Sequence, residues 1–193
     1  VSAPMMQINE DYYEDLDALL SATKKSKAKI LYLSNPDNPM GTFHSKERIL
    51  DFIDNIPDKT ILCLDEAYSD FVDVNELVPI DIEKENVLRL RTFSKAYGLA
   101  GLRIGYGIGN KKLVEAFNKV RNHFGVNRLG QIAAKIALED QEYLQVVLKK
   151  VDKSKKDIAS IFMKFGFNSL VSRTNFVPIN SGSDGKFAAK LMK

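Results

Sequence analysis

The chain has a single cysteine, Cys63, so no disulfide can close within it, and this suits a reducing, cytoplasmic setting. Its two histidines, His44 and His123, lack metal-ligand spacing and have no cysteine cluster to join, so no metal site is expected. No apolar run approaches membrane-spanning length, and Val1 onward shows no basic-then-apolar export signal. There is no Gly-x-x-x-x-Gly-Lys-Ser/Thr loop, and Gly105-Tyr106-Gly107-Ile108-Gly109-Asn110 lacks the third glycine of a dinucleotide fingerprint. Ser94 has no neighbouring histidine to act as its base, which argues against a serine hydrolase. Excess charge is also scarce, at +3 net. Lysines crowd at Lys24, Lys25, Lys27 and Lys29 and between Lys149 and Lys156, but acidic residues intervene and aromatics do not interleave. Solvated helix faces explain them better than a nucleic-acid surface. Neither an internal repeat nor a low-complexity linker is seen.

What is present is enough apolar residue, 45% of 193, to bury the core of an enzyme domain. Short apolar runs at Lys29 to Leu33, Thr60 to Leu64, Val87 to Arg91 and Arg103 to Ile108 read as strands of a covered sheet. Between the first two, Ser45 followed by Arg48, Ile49, Phe52 and Ile53 gives a cap and helical spacing, ending near Pro57. Further helices are expected over Lys111 to Val120, Leu129 to Leu138 and Gln141 to Phe165, the last with a lysine-rich outer face. Asn168 to Asn180 reads as short strands, and Asp184 to Met192 as a helix.

Four polar motifs sit at the ends of these runs. Asn38-Pro39-Met40-Gly41 follows the first, Asp65-Glu66-Ala67-Tyr68 the second, and Thr92-Phe93-Ser94-Lys95 the third. Gly101-Leu102-Arg103-Ile104-Gly105 opens the fourth. In open α/β sheets the carboxyl edge holds the ligand, and that edge here receives an amide, a carboxylate with a nearby phenol, and a lysine beside a hydroxyl. A lysine can form an imine with a carbonyl compound, a serine hydroxyl can bind a phosphate beside it, and Arg103 supplies a permanent planar cation able to bind two phosphate oxygens. Taken singly, Asp65 also reads as a helix or turn cap, Asn38 as an ordinary turn residue, Tyr68 as a core aromatic and Arg103 as the partner of a structural carboxylate. The joint pattern is what points to chemistry.

In order and in composition these motifs resemble the aspartate-aminotransferase-like, fold type I family of pyridoxal-phosphate enzymes, and most of all its histidinol-phosphate aminotransferase branch. The branch is suggested by Lys95-Ala96-Tyr97-Gly98-Leu99-Ala100-Gly101-Leu102-Arg103 and by Val120 to Asn127, where the family more often has proline in place of His123. The resemblance implies a three-layer αβα domain with a mostly parallel sheet over residues 1–165 and the start of a small α+β domain over 166–193. It implies pyridoxal 5′-phosphate as cofactor, a small-molecule amino donor, a 2-oxo acid acceptor and a homodimer. Lys95 would hold the cofactor as an imine and, once freed, move a proton on the substrate. Asp65 would pair with the pyridine nitrogen, Asn38 and Tyr68 would bond the phenolic oxygen, and Thr92, Ser94 and Arg103 would hold the phosphate.

Histidinol phosphate and 2-oxoglutarate, in histidine biosynthesis, are the substrates this branch implies. A related decarboxylase of the threonine-phosphate type carries nearly the same constellation and is the alternative. A third reading is a structural piece that folds but binds cofactor weakly. The chain is short for the family and starts at Val1-Ser2-Ala3-Pro4 without an initiator methionine. It is therefore expected to be an internal fragment, without the family's Gly-rich loop, the tyrosine that reaches across the dimer and the C-terminal arginine.

Overall fold

Asp15 accepts a hydrogen bond from the Ala18 amide and so opens helix α1 (Leu16–Ser26), whose Leu16, Leu20 and Thr23 fall on one face at helical spacing. Lys24 and Lys25 occupy its last turn, where they complement the helix dipole, and Lys27 closes it in the left-handed region. The computed structural model describes residues 11–122 and 124–182. The expected helix at Asp184 to Met192, together with His123, lies outside the described residues.

Strands β1 (Ile30–Ser34), β2 (Ile61–Asp65) and β3 (Val87–Thr92) run parallel, and β4 (Gly105–Gly109) is antiparallel to β3, in the order β1-β2-β3-β4. The fold is α/β, with a mostly parallel sheet. Helix α2 (Lys46–Asp54), capped by the Ser45 hydroxyl accepting from the Arg48 amide, makes the crossover between β1 and β2. Alternation decides the faces. Leu31, Leu33, Leu62, Leu64 and Val87 point to one side and close a core with Leu16, Leu20, Ile49, Phe52 and Ile56. Each of the larger members contributes about 1.5–3 kcal/mol by leaving water. The other side bears Ile30 and Tyr32, both more than half exposed.

Helices α3 (Lys111–Asn118), α4 (Arg128–Glu139) and α5 (Gln141–Lys164) follow, and β5 (Asn168–Ser169) pairs antiparallel with β6 (Ile179–Asn180). The start of one expected strand moves, and one helix was not foreseen. The fourth strand starts at Gly105 rather than Arg103, because Arg103 takes a left-handed backbone, φ 52°, that ends a 3-10 turn over Ala100–Leu102. Helix α1 had no predicted bounds, since the lysines at its end read only as a solvated face.

One charged cluster lies inside this frame. Glu66, just past β2, is 3% exposed and meets Arg89, 4% exposed, through both oxygens, while Arg91 Nε donates to the same carboxylate at 3.0 Å. Arg89 also donates to the carbonyls of Val78 and Pro79, each at 2.8 Å. Every charge is thereby paired and bonded, the condition for a buried ion pair to persist.

Candidate active site

The sheet delivers the motif residues to one edge. Asp65 is the last residue of β2, and its Oδ1 accepts from the Ala67 amide at 2.9 Å. Thr92 ends β3, and its hydroxyl accepts from the Ser94 amide at 3.1 Å, turning the chain toward Lys95. That turn is compact: the Gly98 amide donates to the Lys95 carbonyl at 3.0 Å, Leu99 to the Phe93 carbonyl at 2.9 Å, and Phe93 to the Ile104 carbonyl at 3.2 Å. Gly98, at φ 69°, supplies the left-handed step that an L side chain rarely takes.

Asp65, Thr92, Ser94, Lys95 and Arg103 line one open cavity of about 330 Å³, together with Ala67, Leu90 and Arg91. Lys95 is exposed and its Nζ stands 5.2 Å from the centre of the Tyr68 ring. The hydroxyl of Tyr68 in turn accepts from Asn38 Nδ2 at 2.8 Å. Asn38 and Tyr68, to which the resemblance gives one shared acceptor, are thus brought into contact beside the lysine. Tyr68 is itself buried and packs edge-on against Phe176, their ring centres 5.6 Å apart, which fixes the direction of its phenol. Arg103 Nη1 donates to the Ala100 carbonyl at 2.9 Å, a bond that orients the guanidinium while leaving most of its five N–H donors free.

The turn that carries Asn38 has its own anchor. Met40 donates its amide to Asp37 Oδ2 at 2.9 Å, and Gly41 donates to the Asp37 carbonyl at 3.1 Å. Burial and the adjacent Glu14 carboxyl push Asp37 up to about 6. Burial opposes ionisation of Glu14, but hydrogen bonds from His44 and Asp37 outweigh it and hold that carboxyl below its usual range. The pair titrates as a unit in which Asp37 keeps the proton longer.

Three contributors went unread in the sequence. Tyr32 donates its hydroxyl to Asp65 Oδ2 at 2.7 Å, and burial followed by that carboxylate raises its pKa, so it stays protonated. Glu66 and Arg91 are the others, the latter lining the same cavity. Alternation along Leu31-Tyr32-Leu33 and along Arg89-Leu90-Arg91 was the available signal. A larger cavity, about 650 Å³ between the Ser69 to Leu77 segment and α5, shares Arg91 but none of the seven motif residues.

The aminotransferase class I and II family model matches residues 2–193. The chain belongs to that family. It is 39% identical over 171 residues to histidinol-phosphate aminotransferase 2 of Carboxydothermus hydrogenoformans, covering 86% of this chain and 47% of the relative. Among solved structures, the histidinol-phosphate aminotransferase of Sinorhizobium meliloti in complex with pyridoxal-5′-phosphate superposes with a TM-score of 0.91 at 45% identity, covering 98% of this chain and 51% of that one. The L-threonine-O-3-phosphate decarboxylase of Porphyromonas gingivalis gives 0.68 at 28% identity, over 80% of this chain and 49% of that one. The chain spans about half the length of the curated relatives it matches. No helix among the described residues is long and apolar enough to cross a membrane.

Proposed function

We propose that this class I and II family member acts as a pyridoxal-phosphate-dependent aminotransferase, passing an amino group between histidinol phosphate and 2-oxoglutarate. The observation that carries the proposal is the gathering of Lys95, Asp65, Thr92, Ser94 and Arg103 around one cavity, with the Asn38–Tyr68 pair beside the lysine. The donor set fits the cofactor. It offers a carboxylate for a ring nitrogen, hydroxyls and a guanidinium for a phosphate, an amide and phenol for a phenolate, and an exposed amine for a carbonyl carbon.

The cofactor, when bound, supplies an electrophilic carbon and a ring that accepts charge from the substrate α-carbon. Asp65 would hold the ring nitrogen and keep it protonated, its own position set by the Ala67 amide and Tyr32 hydroxyl. Asn38 and Tyr68 would share the phenolic oxygen and favour its ionised form. Arg103, with Thr92 and Ser94, would clamp the phosphate by charge-assisted bonds. Lys95 Nζ would hold the carbonyl carbon covalently and, when displaced by an amino substrate, carry a proton to and from the α-carbon. Its exposure leaves room for that movement.

Histidinol phosphate is preferred to a threonine-phosphate decarboxylation substrate because identity to the solved relative is 45% for the aminotransferase against 28% for the decarboxylase. Residues 1–165 would form the cofactor-binding domain and 166–193 begin a smaller one. The exposed Phe124, Val126, Leu129 and Ile132 support a homodimer that covers them, and the single cysteine suits a cytoplasmic setting.

The deciding experiment mixes the chain with pyridoxal phosphate, reduces with borohydride and maps the adduct by peptide mass. An adduct at Lys95, lost in Lys95→Ala while the circular dichroism spectrum is kept, is the expected result. Scattered or absent labelling refutes the assignment.

A further inference from the structure

We propose that Tyr32 is a positioning residue that holds Asp65 from the sheet side and thereby sets how firmly Asp65 grips a ring nitrogen; this rests on the reading of Asp65 given above. Tyr32 pairs in register with Cys63 on the adjoining strand, two residues before Asp65. Because side chains two apart on a strand share a face, its ring lies along the same face as Asp65 and points its hydroxyl at the strand end. The hydroxyl donates to Oδ2 at 2.7 Å while the Ala67 amide donates to Oδ1 at 2.9 Å. One donor on each oxygen fixes the rotation of the carboxylate plane. A carboxylate offers about four lone-pair sites, so two remain for the cavity side.

Packing alone does not ask for this hydroxyl. Tyr32 is 55% exposed and its neighbours on the strand, Leu31 and Leu33, do the core's work. Its raised pKa, from the partial burial of the phenol end and then the Asp65 carboxylate, keeps the phenol a donor throughout the range in which an aminotransferase operates. A phenol that always donates to Oδ2 keeps the remaining lone pairs of Asp65 aimed at the cavity side, in line for a ring N–H. The same bond removes the rotational freedom that Asp65 would otherwise lose on binding.

The test is equilibrium binding of pyridoxal phosphate to the 193-residue chain and to Tyr32→Phe, Asp65→Ala and the double variant, with the ¹⁵N resonance of ring-labelled cofactor as second readout. Tyr32→Phe is expected to weaken binding roughly tenfold, the scale of one hydrogen bond to a charged group. It is also expected to move the nitrogen resonance toward the neutral-pyridine value. In the Asp65→Ala background Tyr32→Phe should change neither quantity. Equal losses in both backgrounds would overturn the proposal, as would an unchanged resonance, because Tyr32 would then act without Asp65. Should Asp65→Ala bind like the parent chain, the reading of Asp65 itself falls and the role of Tyr32 with it. A loss in Asp65→Ala with none in Tyr32→Phe overturns the role of Tyr32 alone.

Discussion

Replacing Asp37 with asparagine should make the protein more stable at neutral pH, although it removes a charge beside the candidate site. Asp37 faces Glu14, which is 8% exposed and sits 3.2 Å from His44 Nε2. With its carboxyl raised from an ordinary 3.8 to about 6, Asp37 holds a proton in the folded state that the unfolded chain has already released. Its contribution therefore favours folding fully below pH 3.8 and is lost as pH rises through 6. At 1.36 kcal/mol per pH unit the ceiling is about 3 kcal/mol, and because Asp37 is only half-buried, solvent screening brings this to about 1–2 kcal/mol. Asparagine keeps an acceptor for the Met40 amide, offers N–H donors to Glu14 and carries no charge to repel it. Glu14 behaves oppositely, its support being present above the usual carboxylate range and lost in acid, so comparing the two proteins at each pH reads the Asp37–Glu14 pair. Urea unfolding followed by far-ultraviolet circular dichroism is the assay. Asp37→Asn should gain about 1–2 kcal/mol at pH 7.5, and the gain should shrink toward zero at pH 4.5. A loss at pH 7.5, or an equal gain at both values, refutes the reasoning.

Two further outcomes rest on local geometry. Glu66→Ala leaves Arg89, 4% exposed, with only the Val78 and Pro79 carbonyls, and should cost about 3–5 kcal/mol in urea unfolding; a loss under about 1 kcal/mol would show the ion pair to be dispensable. Gly41→Ala puts a Cβ 2.6 Å from Ser172 Oγ at a backbone φ of +73°. Strain and clash together should cost at least about 1–3 kcal/mol, read as a fall in the unfolding midpoint, and an unchanged midpoint would show that the 172–174 segment yields freely.

The four motifs were legible because each is contiguous and sits at a strand end, so the apolar runs located the sheet and the motifs marked one edge of it. What escaped were pairings between elements. Tyr32 is written into an apolar run and reads as one more strand residue; only the β1–β2 register, which sets Tyr32 beside Cys63, shows that its hydroxyl reaches Asp65. The Glu66–Arg89–Arg91 cluster is similar, since an arginine inside an apolar strand carries no mark of its partner 23 residues away. Arg103 was placed in a strand because its neighbours are apolar, whereas its left-handed backbone depends on the turn before it. The Asp37–Glu14 contact joins residues far apart in the chain, and no local pattern announces it.

The direction of β4 explains how that edge gathers its residues. Three parallel strands each deliver a motif at their C-terminal end: Asn38 after β1, Asp65 and Tyr68 at β2, Thr92 to Lys95 at β3. A fourth parallel strand would deliver its own end there and leave Arg103, which precedes it, at the far side of the sheet. Because β4 runs antiparallel, its first residue, Gly105, pairs with the last of β3, Thr92. Arg103 thereby lines the same cavity as Thr92 and Ser94. The seven residues between Lys95 and Arg103 form a tight return closed by the Gly98, Leu99 and Phe93 amides, and Asn127, at the start of α4, secures it by donating to the Leu102 carbonyl at 2.8 Å. A single reversal of strand direction thus brings the guanidinium to the amine and hydroxyls, so the mixed topology of the sheet belongs to the chemistry that the edge can perform.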